Sequence, residues 1–506
     1  MTLNRRSIAA AAVYLGTFMA SLAISIVSVA LPAIQSDLGT SLSGLQWVVG
    51  TYTLCLSAFM LSAGPLADRY GRKRIWLVGV ALFTVGSAVC ASAHSLEMLI
   101  AGCALQGVAG ALVIPGALSI LTQAFPDPAE RANVIGGWSS FSAVSLILGP
   151  MLGGLLVDHA GWASIFLVNL PIGLVTIVLG LWGIEESANP DHAALDPAGQ
   201  FLSIVFLGSL TFSLINAGHA GWNARETIFS FLASATALVL FIVVELRASR
   251  PVFPVDLFRQ APFASANFAS LVLGFSGYTS LFLFSLFLQQ GQGWTATNAG
   301  WRMAPVFAAM LIASSVFGKL TRRFGMNRLM IAGYIILGGS MLAMTSFTPM
   351  TPYWVVAPAF ALLGIALGVT VPATGAAAMG SAPRERTGAA SATMNALRQG
   401  GMTIGIALLG TIMSARASAS LEGALIRSGS DHAATLAATA VQRHEMPAGL
   451  SIAPETFQSL LKDASTHGFA SAAGVAGALG LVATLVLAAS AYRTTRRSVA
   501  ASRQKT

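Results

Sequence analysis

One carboxylate, Asp68, stands among four cations in the run Gly64-Pro65-Leu66-Ala67-Asp68-Arg69-Tyr70-Gly71-Arg72-Lys73-Arg74. Glycines at Gly64 and Gly71 suit the tight turn between two helices. A carboxylate with Arg69, Arg72 and Arg74 around it can make and exchange charge-assisted hydrogen bonds, which is the chemistry of a latch. A second copy lies 254 residues on: Gly64, Leu66, Arg69, Tyr70, Gly71 and Arg74 align with Gly318, Leu320, Arg323, Phe324, Gly325 and Arg328, and Trp47 falls on Trp301. Glu130 and Arg131 match Glu385 and Arg386 at an offset of 255. Polar side chains inside apolar runs form another group: Tyr52, Gln106, Asn169, Gln289, Gln290 and Asn395, with Ser28 and the single cation Arg398. Such groups, walled by Phe and Met, suit recognition of a small molecule in an apolar chamber. Chemistry on bonds is not supported: no apolar run carries paired carboxylates, a His cluster or a nucleophile beside a base, and neither metal-ligand spacing nor a phosphate loop occurs. No enzyme, no metal and no cofactor is therefore expected, beyond a possible use of the proton gradient.

The elements that must position these residues are membrane helices. Hydrophobic residues make up 55% of the 506 and charged residues only 9%, against roughly 25% charged in a soluble domain. Apolar runs of about 20 residues recur throughout, the length an α-helix needs to cross roughly 30 Å of hydrocarbon. Spans are predicted near 9–32, 47–67, 75–93, 98–123, 133–157, 163–184, 199–217, 227–245, 264–289, 301–318, 329–347, 353–373, 389–413 and 469–491. The first of these is too long for a signal-peptide core and reads as a retained span. The net charge of +9 is scattered between the runs, so the partners expected are a lipid bilayer and a small-molecule substrate, with no nucleic acid.

Lys and Arg cluster at Arg5 and Arg6, Arg69 to Arg74, Arg131, Arg247 to Arg259, Lys319 to Arg328, Arg384 and Arg386, and Arg493 to Lys505. The positive-inside rule places all of these, and both termini, in the cytoplasm. The acidic linker Glu185 to Pro197 breaks that rule, and the stretch from Ser414 to His467 is expected to be an outside loop with short interfacial helices. Cys55, Cys90 and Cys103 all fall inside spans and read as packing residues.

The duplicated halves point to a secondary transporter with its site where the halves meet. The expected fold is all-α and polytopic, two six-helix bundles with two extra central spans. The boundaries are 1–186 for the first bundle, 187–260 for the linker and extra pair, 261–491 for the second bundle with its extracytoplasmic 414–467 loop, and 492–506 for a basic tail. A single chain is expected to suffice.

The run from Gly64 to Arg74 resembles the loop between spans two and three of the major facilitator superfamily almost residue for residue. In the fifth span Gly136, Ser145, Gly149, Pro150, Gly153 and Gly154 resemble the glycine motif of its antiporters, with serine at one glycine position. Leu22 to Pro32, Gln106-Gly107 with Pro115, and Ile165-Phe166 with Asn169, Pro171 and Gly173 resemble the fourteen-span drug:proton antiporters. The resemblance covers nearly the whole chain and implies alternating access and export of small amphiphiles from a bacterial cytoplasmic (inner) membrane. An uncoupled facilitator or an importer of a neutral or anionic solute is the alternative.

The chain departs from that family at charged positions. Ala23 stands where the family has aspartate, Ser28 where it has asparagine, Cys103 where it has arginine, and Ala163-Ser164 where it has Arg-Trp. One charge left alone at mid-membrane costs roughly 3 kcal/mol, whereas losing both partners together is cheap. The loss reads either as drift of a pair or as a changed coupling mechanism. Three routes of coupling stay open: a proton carried by Asp68, Glu97 or Asp158 near span ends, a proton carried by the substrate, or no coupling at all. Without a deep acid the chamber favours neutral, zwitterionic or weakly anionic ligands. Arg398 reads either as an attractor for an anion or as a side chain snorkelling to the surface, and Arg302 as interfacial.

Overall fold

The computed structural model describes residues 5–188, 196–248, 253–383, 386–448, 450 and 452–503. Among them there are helices and connecting turns and no strand. Fourteen helices are long and apolar enough to cross a membrane. They are α1 (Arg5–Leu38), α2 (Leu42–Tyr70), α3 (Arg72–Ala91), α4 (Leu96–Ala124), α5 (Pro128–Ala160), α6 (Ser164–Gly183), α7 (Pro197–Ala220), α8 (Arg225–Arg247), α9 (Ala261–Gly291), α10 (Ala296–Phe324), α11 (Met326–Ser346), α12 (Tyr353–Gly380), α13 (Thr387–Arg427) and, after the short α14 (Ala433–Arg443), α15 (Pro454–Arg503).

The helices start where polar side chains can take up free N–H groups. Ser41 accepts from Gly44 N at 3.2 Å, Ser95 from Met98 N at 3.3 Å, and Asp127 from Glu130 N at 2.9 Å ahead of Pro128. The repeat seen in the sequence is a repeat in space. Adding 254 to the bounds of α2 gives those of α10, and Gly71 and Gly325 both turn the chain with positive φ, +106° and +84°. Arg69 lies 5.6 Å from the ring of Tyr70 and Arg323 5.3 Å from that of Phe324. Packing repeats too. In the first half α2 lies on α4, α3 on α4, and α1 on α5 and α6; in the second α10 lies on α12, α11 on α12, and α9 on α13 and α15.

Two seams join the halves, α2 on α13 and α5 on α10, with α1 also touching α9. The hairpin α7–α8 packs on α2 and α13. The acidic linker finds its role here: the Glu186 carboxylate accepts from the backbone N–H groups of Lys73 and Arg74 at 3.1 and 3.2 Å, and the Ser187 carbonyl from Arg72 N at 2.8 Å. An acid at a helix N-terminus outweighs the charge rule for loops. Residues 189–195 of that linker, 249–252, and Arg384 and Glu385 lie outside the described residues, so the Glu130–Glu385 match has no structural counterpart here.

One expectation is corrected. The stretch 414–467 is not a loop with interfacial pieces but a helical cap. α13 runs unbroken for 41 residues, about 60 Å at 1.5 Å per residue and twice the hydrocarbon thickness. α15 begins at Pro454, and its first turns contain the amphipathic piece 453–461. With α14 they enclose a small core of Leu421, Leu425, Ala437, Ala440, Phe457 and Leu461, separate from the main one. The polar faces disguised these helices because half of the buried packing residues are alanine, whose short side chain marks an apolar face only weakly.

Candidate functional site

A narrow cleft of about 10 Å³, room for about one water molecule, lies between α1, α2, α4 and α13, where the two halves meet. α1 contributes Ala23, Ile24 and Val27, α2 Val48, Val49, Tyr52 and Thr53, α4 Cys103 and Gln106, and α13 Met402. Within each helix these positions are one, three or four apart, the spacing of a single face. Every lining residue is uncharged. Ala23 and Cys103, two of the positions where the resemblance leads one to expect a charge, share this wall. Tyr52 is buried and donates its hydroxyl to the Ala20 carbonyl at 3.0 Å. Gln106 donates to Ser87 Oγ at 2.8 Å. Thr53 Oγ1 accepts from Thr403 Oγ1 at 2.8 Å across the α2–α13 seam.

Of the eight cavity candidates read from sequence, Tyr52 and Gln106 line the cleft. Ser28 is buried one turn beyond Ile24, and its carbonyl accepts from Ser285 Oγ at 2.5 Å. Gln289 donates to the Val29 carbonyl at 3.0 Å and Gln290 to Gln35 Oε1 at 2.7 Å, so both seal α9 to α1. Asn169 is buried in α6 away from the lining, its Oδ1 without a partner. Asn395 accepts from Arg398, and the Arg398 guanidinium sits 5.7 Å from the Tyr278 ring. That pair is half-buried on α13 and is not part of the cleft wall. Val27, Val48, Thr53 and Met402 escaped notice because a Val, Thr or Met facing a cleft looks like one facing a neighbouring helix.

The second seam, α5 on α10, is closed at the end that carries the cap. There α5 rests on the first turns of α10, Ala296–Arg302, and much less on the rest of that helix. Asp158 accepts from Thr297 N at 2.8 Å and the Gly154 carbonyl from Thr297 Oγ1 at 3.1 Å. A side chain on Gly154 would meet Thr297 Cα at 2.7 Å, and one on Gly300 the carbonyl carbon of Pro150 at 2.8 Å. Gly149 and Gly153 of the same motif face α1, and a Cβ on the latter would lie 2.8 Å from Ile26 Cγ1. Gly136, nearer the basic loops, has no neighbour within 4 Å, and neither has Gly64 or Gly318. Phe141 and Val144 on α5 and Leu311 and Ile312 on α10 are exposed, so the seam parts toward the basic loops. Arg302, read as interfacial, is held over the Trp294 ring at 3.6 Å and the Tyr353 ring at 4.7 Å.

At the parted end Asp68 bonds within its own loop, to Arg72 Nε at 2.8 Å and Nη2 at 2.7 Å. Among the described residues Asp68 makes no bond to the opposite half. Gly71 is required twice: its φ is positive, and a Cβ there would lie 2.8 Å from the Glu186 carboxyl carbon.

Fourteen spans in duplicated halves, a shared uncharged cleft, one seam shut and the loop motif at the other end define a membrane transporter that moves its site between two faces. The model of the Major Facilitator Superfamily matches residues 13–406, and the chain belongs to that superfamily. It is 38% identical to the multidrug resistance protein Stp of Mycobacterium tuberculosis, over 85% of this chain and 78% of that one. It is 35% identical to the methylenomycin A resistance protein of Bacillus subtilis, over 79% and 86%, and 32% identical to the tetracenomycin C resistance and export protein of Streptomyces glaucescens, over 94% and 90%. Among solved structures, a bacterial homologue of the human lysosomal transporter Spinster, inward-facing and unoccupied, matches with a TM-score of 0.62 at 19% identity, over 97% of this chain and 99% of that one. The fourteen helices fit the drug:proton antiporter type of the superfamily.

Proposed function

We propose that the chain exports small amphiphilic molecules, neutral to weakly anionic, across a bacterial inner membrane by alternating access, and that it is not an enzyme. The observation that carries this reading is the uncharged cleft between the halves, with the α5–α10 seam sealed at the cap end and parted toward the basic loops. The basic end is taken as cytoplasmic on the positive-inside rule, which puts both termini there and the cap outside. The working parts are residues 1–186 and 261–491 as the rocking bundles, 187–260 as the linker with its extra hairpin, 414–467 as the outer cap and 492–506 as a cytoplasmic tail. Asp68, Arg69, Arg72 and Arg74, with Arg323 in the second copy, act as the cytoplasmic gate. Pro150 and Gly154, against Gly300 and Thr297, form the outer seal, while Gly149 and Gly153 pack α5 on α1. Relatives named for drug resistance and for antibiotic export support the direction.

Ala23 and Cys103 in the cleft wall leave proton binding there without a carboxylate, so a lipophilic cation has no electrostatic attractor in the cleft. Everted vesicles expressing the chain, loaded with a pH dye and challenged with antibiotics, biocides and organic acids under an imposed proton gradient, test both points. Uptake of at least one amphiphile above vector vesicles is expected. No uptake across the panel, or uptake confined to lipophilic cations, would overturn the reading. Substrate-evoked proton movement would assign coupling to the substrate or to span-end acids.

A further inference from the structure

Cys90 on α3 and Cys103 on α4 are both buried, and their Sγ atoms are 3.9 Å apart. Both are free thiols. Cys90 Sγ is also 3.9 Å from Gln106 Oε1, one turn along α4 from Cys103. The approach is set by glycine: a Cβ on Gly102 would lie 3.0 Å from Cys90 N, and one on Gly86 would lie 3.0 Å from Gln106 Cγ, so the helix backbones come close enough for the thiols to face each other. Cys103 and Gln106 are part of the cleft wall, which gives the pair a route to the solvent side.

We propose that Cys90 and Cys103 form a two-thiolate site for a soft divalent cation, with the Gln106 carboxamide oxygen as a third, neutral donor. A point about 2.3 Å from both sulfurs, the bond length thiolates make to zinc, subtends an angle of about 116° at this separation, within the range of three- or four-coordinate ions. Opening the thiols to about 4.6 Å, a side-chain movement of about 0.7 Å, makes a two-coordinate linear site at the same bond length. Ligand chemistry selects the ion. Thiolates prefer soft metals, and hard ions such as magnesium or calcium demand oxygen shells that are absent here. Among the described residues no group of three or more His, Cys, Asp or Glu could hold a metal, so zinc, which takes four such ligands in structural sites, is not served. Charge selects the valence. Two thiols lose two protons to the cleft water and form two metal–sulfur bonds; a dication leaves the complex neutral, whereas a monocation leaves a net negative charge deep in hydrocarbon. Nothing is oxidised or reduced. The mercuric ion has this character, and the bound ion staples α3 to α4 at the cleft wall.

The probe is mercuric chloride on the purified full-length chain in lipid nanodiscs, with glutathione as competitor. Unblocked thiols are counted by maleimide labelling and mass measurement after denaturation, and the melting temperature is followed in parallel. One equivalent is expected to block two of the three thiols in the wild type and both thiols of Cys55→Ser, and to raise the melting temperature of both. Cys90→Ser and Cys103→Ala are expected to hold the ion at least 100-fold more weakly against glutathione and to show no rise. Equal reaction of all three thiols, blocking of Cys55 in place of either partner, or wild-type retention by Cys103→Ala would overturn the site. Cys55→Ser is the matched control: its folding and its unchanged capture of the ion separate loss of a ligand from loss of structure.

Discussion

The two seams between the halves are related by the internal repeat yet are built differently. Along α2–α13, side chains bond across the seam at several levels: Gln46 donates to the Ile406 and Ala407 carbonyls at 3.1 and 3.0 Å, the Thr403 hydroxyl to the Thr53 hydroxyl at 2.8 Å, and Ser57 to the Ala396 carbonyl at 2.8 Å. The hairpin α7–α8 backs this seam, with Gln200 donating to the Ala58 carbonyl at 3.0 Å and Thr411 donating to the Leu214 carbonyl at 2.8 Å. Along α5–α10 contact is concentrated at the cap end, where Gly154 meets Thr297 and Gly300 meets Pro150, with two hydrogen bonds at Thr297 beside them. Parting the second seam mostly separates close-packed backbones, while parting the first strands several hydrogen-bonding side chains, each worth about 1 kcal/mol. One seam is therefore the hinge side and the other the opening side, and the extra hairpin reinforces the hinge.

Four changes would break or sharpen this contrast. Gly154→Leu should abolish transport in everted vesicles with the protein still in the membrane, because overpacking of about 1–3 kcal/mol falls on the end where the opening seam packs most closely. Wild-type transport by that variant would remove α5–α10 as the moving seam. Asp68→Asn should cut export at least tenfold without loss of membrane insertion, since a latch needs the charge and not merely the shape; unchanged export would leave the loop as an ordinary turn. On the hinge side Gln46→Ala should cost about 1 kcal/mol, read as a fall of a few degrees in melting temperature, with transport within about twofold of wild type. A larger loss of transport than of stability would mean that this seam also moves.

The smallest effect concerns the cap at the end of the α2–α13 seam. Burial, with Lys462 adding to it, pushes His444 down to about 4. A histidine kept neutral when folded but free to charge near pH 6.5 when unfolded makes the unfolded state the better proton binder. Its contribution to stability is full above about 6.5 and lost as pH falls toward 4. Hydrogen exchange over residues 433–464 should therefore quicken between pH 7.5 and 4.5 after correction for intrinsic rates, and His444→Gln should flatten much of that change. Equal exchange at both pH values in the wild type would show that the imidazole does not couple to the cap.

The parts legible in the sequence were those with a strong period or a rare residue. Hydropathy gave fourteen spans because lipid demands long apolar runs, and the turn at Gly71 was visible because few residues accept that backbone. Two classes escaped. Gln289, Gln290 and Ser28 looked like cavity groups, but a polar side chain inside a span serves a helix–helix contact as well as a ligand, and here the neighbouring carbonyls of α1 and the Gln35 side chain claimed them. The cleft itself was hidden behind Val, Ile, Thr and Met, whose types do not report whether they face a void or a neighbour. The role of Glu186 was invisible for a third reason: its partner, the start of α3, lies more than a hundred residues away in the chain.

Gln442 on α14 ties three elements together: its backbone carbonyl accepts from Gln35 Nε2 at 2.8 Å, its Oε1 from Ser43 Oγ at 3.2 Å, and its Nε2 donates to Ser414 Oγ at 2.9 Å. The cap thus belongs covalently to one half while gripping the turn between α1 and α2 of the other. A macromolecule that clasped both partners from outside would act as a brake, halting the cycle without competing for the chamber, and no change in the shape of the cargo would let it escape such a clamp.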